Sequence, residues 1–235
     1  MPATRPCLVA VEPVSGFLLV EQYQPQRDAK TWQQCTSTRL ASLPVTVCQV
    51  TSDAAKALIT QAETCLGVHH SPDLFHVQYD TVKATSGALA TQTRAACREL
   101  EKRQAKTAEF QAECRADPDA GRPGTLLGVF VQRAQEAEAA ARQRMHVCQD
   151  RQKRARTARQ GLARDYHPMD LVTGQPLSAE EVGRRLQGHL DTLDQVAAEA
   201  GLSARACERL AKARRVLGAM QATVAFFWVM IAARL

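Results

Sequence analysis

Asp117-Pro118-Asp119-Ala120-Gly121-Arg122-Pro123-Gly124 cuts a long helix-forming stretch of this 235-residue chain in two. Proline removes a helical N–H and clashes with the preceding turn, and glycine adds backbone entropy, so no helix crosses this segment. Tyr79 to Arg115 on one side and Thr125 to Arg164 on the other are rich in Ala, Gln, Lys, Arg and Glu. Those side chains lose little freedom in a helix. Two long helices about a short breaker predict an antiparallel helical hairpin. Aromatic residues make up only 5% of the chain, which argues against a mainly β architecture.

The region before the hairpin has a different pattern. Cys7-Leu8-Val9-Ala10-Val11 is a short apolar run, predicted as a buried strand. Pro13 to Gly16 is a turn signal, and Phe17 to Tyr23 returns as a second strand, giving a hairpin. Ala29 to Ser42 reads as a helix, and Val45 to Val50 as a third strand rich in β-branched residues. Ala54 to Leu66 reads as a helix stopped by Gly67, and Leu74-Phe75-His76-Val77 as a fourth strand. This alternation predicts a mixed sheet.

After the hairpin, Tyr166 to Pro176 is a loop. Ser178-Ala179-Glu180-Glu181 reads as a capping box for a helix from Ala179 to Ala200, ended by Gly201. Ser203 is placed to cap a last helix running to Leu235. The fold class is therefore α/β plus α, in three segments: 1–78 a sheet domain, 79–165 the hairpin, and 166–235 a C-terminal helical segment. A start on a strand and an end inside an apolar helix predict a piece cut from a larger protein at both ends.

Eight cysteines without a C-x-x-C pair predict reduced thiols used as small core residues, and a cytoplasmic location. Met1 to Cys7 lacks an apolar run after its basic residue, so no signal peptide is expected. Lys and Arg outnumber Asp and Glu by 30 to 24. The excess is concentrated at Arg151, Lys153, Arg154, Arg156, Arg159 and Arg164, which would track a DNA backbone or form a solvated helix face.

Two acids hold informative places. Glu12 follows the first predicted strand and Asp53 the third. At neighbouring strand ends, two carboxylates hold Mg2+ through oxygen ligands. Each also has a plain structural role, Glu12 in a turn and Asp53 at a helix N-cap. His69, His70, Asp73 and His76 contain zinc-ligand types, but Pro72 interrupts the helical spacing such a site would use.

The stretches CLVAVEPVSGFLLVEQY, VTVCQVTSDAAKAL and HHSPDLFHVQYDTVKATS resemble blocks of a bacterial DDE-type transposase-related family with an RNase H-like core and a long helical insertion. YHPMDLVTGQPLSAEEV and KARRVLGAMQATVAFF resemble its later segments, so the likeness spans nearly the whole chain. It implies an RNase H-like sheet in residues 1–78 and DNA strand cleavage and transfer by two Mg2+ or Mn2+ ions. It further implies DNA as the partner, self-association, and no small-molecule substrate. Glu12 stands at the first catalytic place, where the family has Asp, and Asp53 at the second. A third acid belongs on a late helix, with Glu180 and Glu181 as candidates. His76 would lie beside the acids, touching a phosphate or a metal-bound water. A chain truncated in this way is expected to be an inactive remnant.

Two other readings come from the same residues. The hairpin predicts a non-enzymatic coiled-coil interaction protein. Val216 to Ala233, preceded by Lys212, Arg214 and Arg215, predicts either a core helix or a C-terminal membrane anchor.

Overall fold

The computed structural model describes residues 5–117 and 119–233. Pro118 of the predicted breaker, the first four residues and the expected helix end at Arg234 and Leu235 lie outside the described residues. The chain is mostly helical, with a small strand region in two sheets: an α plus β protein. It divides into two compact units, 1–77 with 164–186 and 215–235, and 78–163 with 187–214.

In the first unit, β1 (Cys7–Val11) and β2 (Leu18–Tyr23) form the predicted antiparallel hairpin, with a register irregularity at Ala10/Val11. The turn between them uses Gly16 at φ +72°, where a Cβ would be strained. Helix α1 (Ala29–Leu40) starts at Asp28, whose carboxylate accepts from the Thr31 N–H. Cys35 of α1 shares a small buried cluster with Leu8 and Val20, flanked by Leu19 and Trp32.

β3 (Gln49–Ser52) leads into α2 (Lys56–Thr60), which widens into a π-helical turn, Gln61–Leu66. Gly67 ends that turn at φ +66°, as its position predicts. β4 (His69–Pro72) then pairs in parallel with β3. The hairpin and the parallel pair are separate two-stranded sheets, so the single mixed sheet expected for residues 1–78 is not formed.

Two strand assignments are corrected. Leu74 to Val77 is the first turn of α3 (Leu74–Ala116), and the fourth strand is the polar run before it. Phe75 and Val77 alternate with His76 as in a strand, but Leu74 and Val77 also stand three apart, as a helix face requires. Asp73 decides for the helix by capping it through the Phe75 N–H at 2.8 Å. The third strand begins at Gln49 rather than Val45, because its partner β4 is only four residues long.

The C-terminal parts of this unit include α7 (Leu217–Ala232). Its Phe226 ring stacks on His69 at 4.6 Å. Thr223 Oγ1 lies 3.1 Å from His69 Nε2 and donates to Ser71 Oγ at 3.2 Å. Trp228 Nε1 donates to the Leu177 carbonyl at 2.9 Å. Met220 and Val224 are buried, while Phe227 and Val229 are exposed. The expected single last helix is broken at Val216 into α6 (Ala204–Arg215) and α7. By length and composition alone, Ala204–Ala232 contains a stretch able to cross a membrane.

The second unit is built from α3 beyond Val77, most of α4 (Leu126–Asp165), the part of α5 (Ala179–Glu199) from Gln187 on, and α6 up to Arg214. Phe110 stacks on Phe130, Thr93 Oγ1 donates to the Cys148 carbonyl, and Arg159 donates to Thr85. One index falls as the other rises, so α3 and α4 run antiparallel, as predicted. Their interior uses small residues, Ala84, Ala141, Ala155 and Ala158, with Leu89 and Leu162. Thr81 and Thr85 are fully buried and satisfy their hydroxyls on carbonyls of their own helix, those of Gln78 and Thr81. Asp80 receives Arg209 at 3.1 Å and Lys212 at 3.0 Å. Ser178 Oγ accepts from the Glu181 N–H at 3.1 Å, which is the predicted cap of α5.

Candidate functional site

Ser52 and Pro72 are the last paired residues of β3 and β4, and an aspartate follows each. The Asp73 N–H donates to the Ser52 carbonyl at 2.8 Å, which holds the two strand ends together. Carboxyl ends of parallel strands are where open α/β structures gather their ligands. Asp53 Oδ1 accepts from the Ala55 N–H at 3.1 Å. Asp73 Oδ1 accepts from Phe75, and its Oδ2 lies 2.9 Å from His76 Nδ1. A carboxylate has about four lone-pair directions, so these contacts leave acceptor capacity on both aspartates.

Behind the strand ends, His70 is buried, and its Nε2 lies 2.8 Å from Ser52 Oγ. Burial pushes the His70 and His69 imidazoles below the usual histidine range. The Gln49 side-chain amide donates to Ser71 Oγ across the same strands.

Asp53 therefore stands where the sequence places it, at the end of β3. Glu12 is held elsewhere. Its carboxylate accepts from the Val14 N–H at 3.0 Å, the Ser15 N–H at 2.6 Å and the Ser15 hydroxyl at 2.5 Å. The Ser15 hydroxyl first, then the Ser15 and Val14 amides, lower its pKa. The strands before Glu12 and Asp53 belong to different sheets, so strand pairing does not bring the two acids together.

His76 is in the first turn of α3, not on a strand, because the Asp73 cap starts the helix there. It does stand beside an acid, but that acid is Asp73, which sequence reasoning weighed only as a zinc ligand. The usable signal was present: a Pro-Asp pair ahead of a helical pattern is an N-cap signature. The run of His69, His70, Asp73 and His76, whose spacing Pro72 interrupts, is dispersed. His69 is on Phe226 and Thr223, His70 on Ser52, and His76 on Asp73. Among the described residues, no group of three or more His, Cys, Asp or Glu is placed to hold a metal ion. Glu181 is bonded to Arg184 and Arg185, and Glu180 lies next to it in the same first turn of α5.

The six basic residues of α4 separate by partner. Arg154 grips Glu199 with two bonds, at 2.9 and 3.2 Å, and Arg151 reaches the same carboxylate at 3.5 Å. Arg164 pairs with Asp165 at 2.8 Å. Among the described residues, Lys153, Arg156 and Arg159 have no carboxylate partner. All eight cysteines are free thiols.

No protein-family model, no curated protein and no solved structure matches this chain.

Proposed function

We propose that this chain is a DDE-type transposase or a remnant of one, with Asp53 and Asp73 holding a divalent cation for phosphodiester chemistry on DNA. The observation that carries this reading is the aspartate after each of two paired parallel strands, one step beyond Ser52 and Pro72. The order hairpin, helix, strand, helix, strand supports an RNase H-like ancestry. A complete sheet of that kind would need β1 beside β3, and here they stand in separate sheets.

Two carboxylates fit one Mg2+ or Mn2+ ion, which keeps several waters and takes its remaining ligands from phosphate oxygens. Such an ion would supply charge stabilisation at the phosphate. A second ion would need further acids, and Glu12 would have to release its turn to become one. His76 supplies a proton acceptor. With Nδ1 donating to Asp73, the Nε2 lone pair is free to take a proton from a water or a DNA 3′-hydroxyl. The same reading makes DNA the partner, α4 its backbone contact and the cytoplasm its location, with self-association and no small-molecule substrate.

Calorimetric titration with MnCl2 of the full chain, Asp53→Asn and Asp73→Asn tests the site. Binding to the wild type that is lost in both variants, with circular dichroism unchanged, is the expected result. Equal heats for all three proteins remove the metal site. They would favour a helical interaction protein, a second reading supported by the exposed apolar tip of the hairpin at Leu126, Val129 and Phe130.

A further inference from the structure

We propose that Lys153, Arg156 and Arg159 form a phosphodiester-gripping face on α4 that takes the backbone of duplex DNA, while Arg151, Arg154 and Arg164 serve the fold. This rests on the DNA partner proposed above and divides its six basic residues into two groups.

The division follows from neutralisation. Arg151 and Arg154 converge on Glu199 at the end of α5, and Arg154 also lies 3.7 Å from Asp150. Arg164 is spent on Asp165. A guanidinium already matched by a carboxylate gains little from a phosphate.

The other three are unmatched. Arg159 is half-buried and donates to the fully buried Thr85 hydroxyl at 2.6 Å, which uses one of its five N–H donors. Burial first, then the neighbouring Arg156 charge, disfavours its charged form. A partly desolvated cation beside a second cation, with no ion-paired carboxylate among the described residues, is costly to the folded chain alone. An arriving anion removes that cost.

The spacing fits a phosphate row. Lys153, Arg156 and Arg159 are successive i, i+3 neighbours and so share one ridge of the helix. Six residues rise about 9 Å. One strand of duplex DNA advances about 3.4 Å per phosphate, so this ridge spans about three phosphates. Guanidinium groups bind phosphate oxygens through two parallel N–H donors, which suits Arg156 and Arg159 to the task.

The test is fluorescence anisotropy of the full chain with a labelled random-sequence duplex over a salt series, beside thermal melting of each protein. The Lys153→Gln/Arg156→Gln double variant is expected to flatten the slope of log K against log salt by about 2, at about 0.9 per phosphate contact. Arg159→Gln is expected to flatten it by about 0.9. Its Tm should hold or rise by about 2–4 °C, because a half-buried, unmatched charge is gone and the Thr85 hydroxyl still donates to the Thr81 carbonyl. Arg154→Gln should do the reverse, melting earlier at an unchanged slope. If the wild type binds duplex and the Lys153, Arg156 and Arg159 variants keep its slope, this inference falls and the DNA reading stands. A wild type that binds no duplex at low salt overturns both. An Arg159→Gln chain that melts earlier removes Arg159 from the grip. Manganese binding through Asp53 and Asp73 is read separately and is unaffected by any of these results.

Discussion

Asp73 Oδ2 lies 2.9 Å from His76 Nδ1, while the other oxygen of the same carboxylate accepts the Phe75 N–H at 2.8 Å. One side chain thus starts a 43-residue helix and orients the imidazole at its first turn.

Those two duties separate by substitution. Asp73→Ala removes the cap and is expected to cost about 1 kcal/mol, lowering Tm by about 2–4 °C. Asp73→Asn keeps a capping oxygen and should melt close to the wild type while losing manganese. Identical melting of the Ala and Asn variants would show that the cap contributes nothing.

Asp170 predicts an acid dependence. Its carboxylate pairs with Arg185 at 2.9 Å and accepts from the Val172 and Thr173 amides at 2.9 and 3.0 Å. The Arg185 guanidinium, then the Thr173 and Val172 amides, hold it well below the usual carboxylate range. A carboxyl lowered on folding stabilises the protein fully above its unfolded pKa of about 3.9. That stability is lost as pH falls through the folded value. The Tm gap between wild type and Asp170→Asn should therefore stay constant near neutrality and close below about pH 4. A gap that widens on acidification contradicts the assignment.

Gly161 lets α4 pass close to His189. A Cβ at Gly161 would stand 2.7 Å from His189 Nδ1 and nearer still to its Cε1 and Nε2. Gly161→Ala gains up to about 1 kcal/mol of helix propensity, but the clash costs about 1–3 kcal/mol. Net destabilisation is expected, measured by urea unfolding. Adding His189→Ala should recover stability, and a double variant no better than the single would point to another cause.

Much of this architecture could be read from local chemistry. The breaker at 117–124, Gly67 and Gly201 each stop a helix where they stand, because backbone freedom acts on its own neighbours. β4 was harder to see. His-His-Ser-Pro has no strand-like hydropathy, and it is a strand because β3 supplies its partners. The acid at β3 was found from its position after a β-branched run. Read as a strand, Leu74 to Val77 puts Asp73 ahead of an element instead of at the end of one, which hides it as the neighbour of Asp53. The neutralised arginines are invisible along the chain as well, since Glu199 lies 45 residues from Arg154.

Parallel strands cannot be joined by a tight turn, so β3 and β4 meet only across the segment holding α2 and its π-helical turn. Two strands alone are marginally stable in water. Asp53 and Asp73 are thus twenty positions apart in a loose chain and adjacent only when that crossover has closed. Any chemistry that needs both switches on with folding of the crossover and has no half-assembled form.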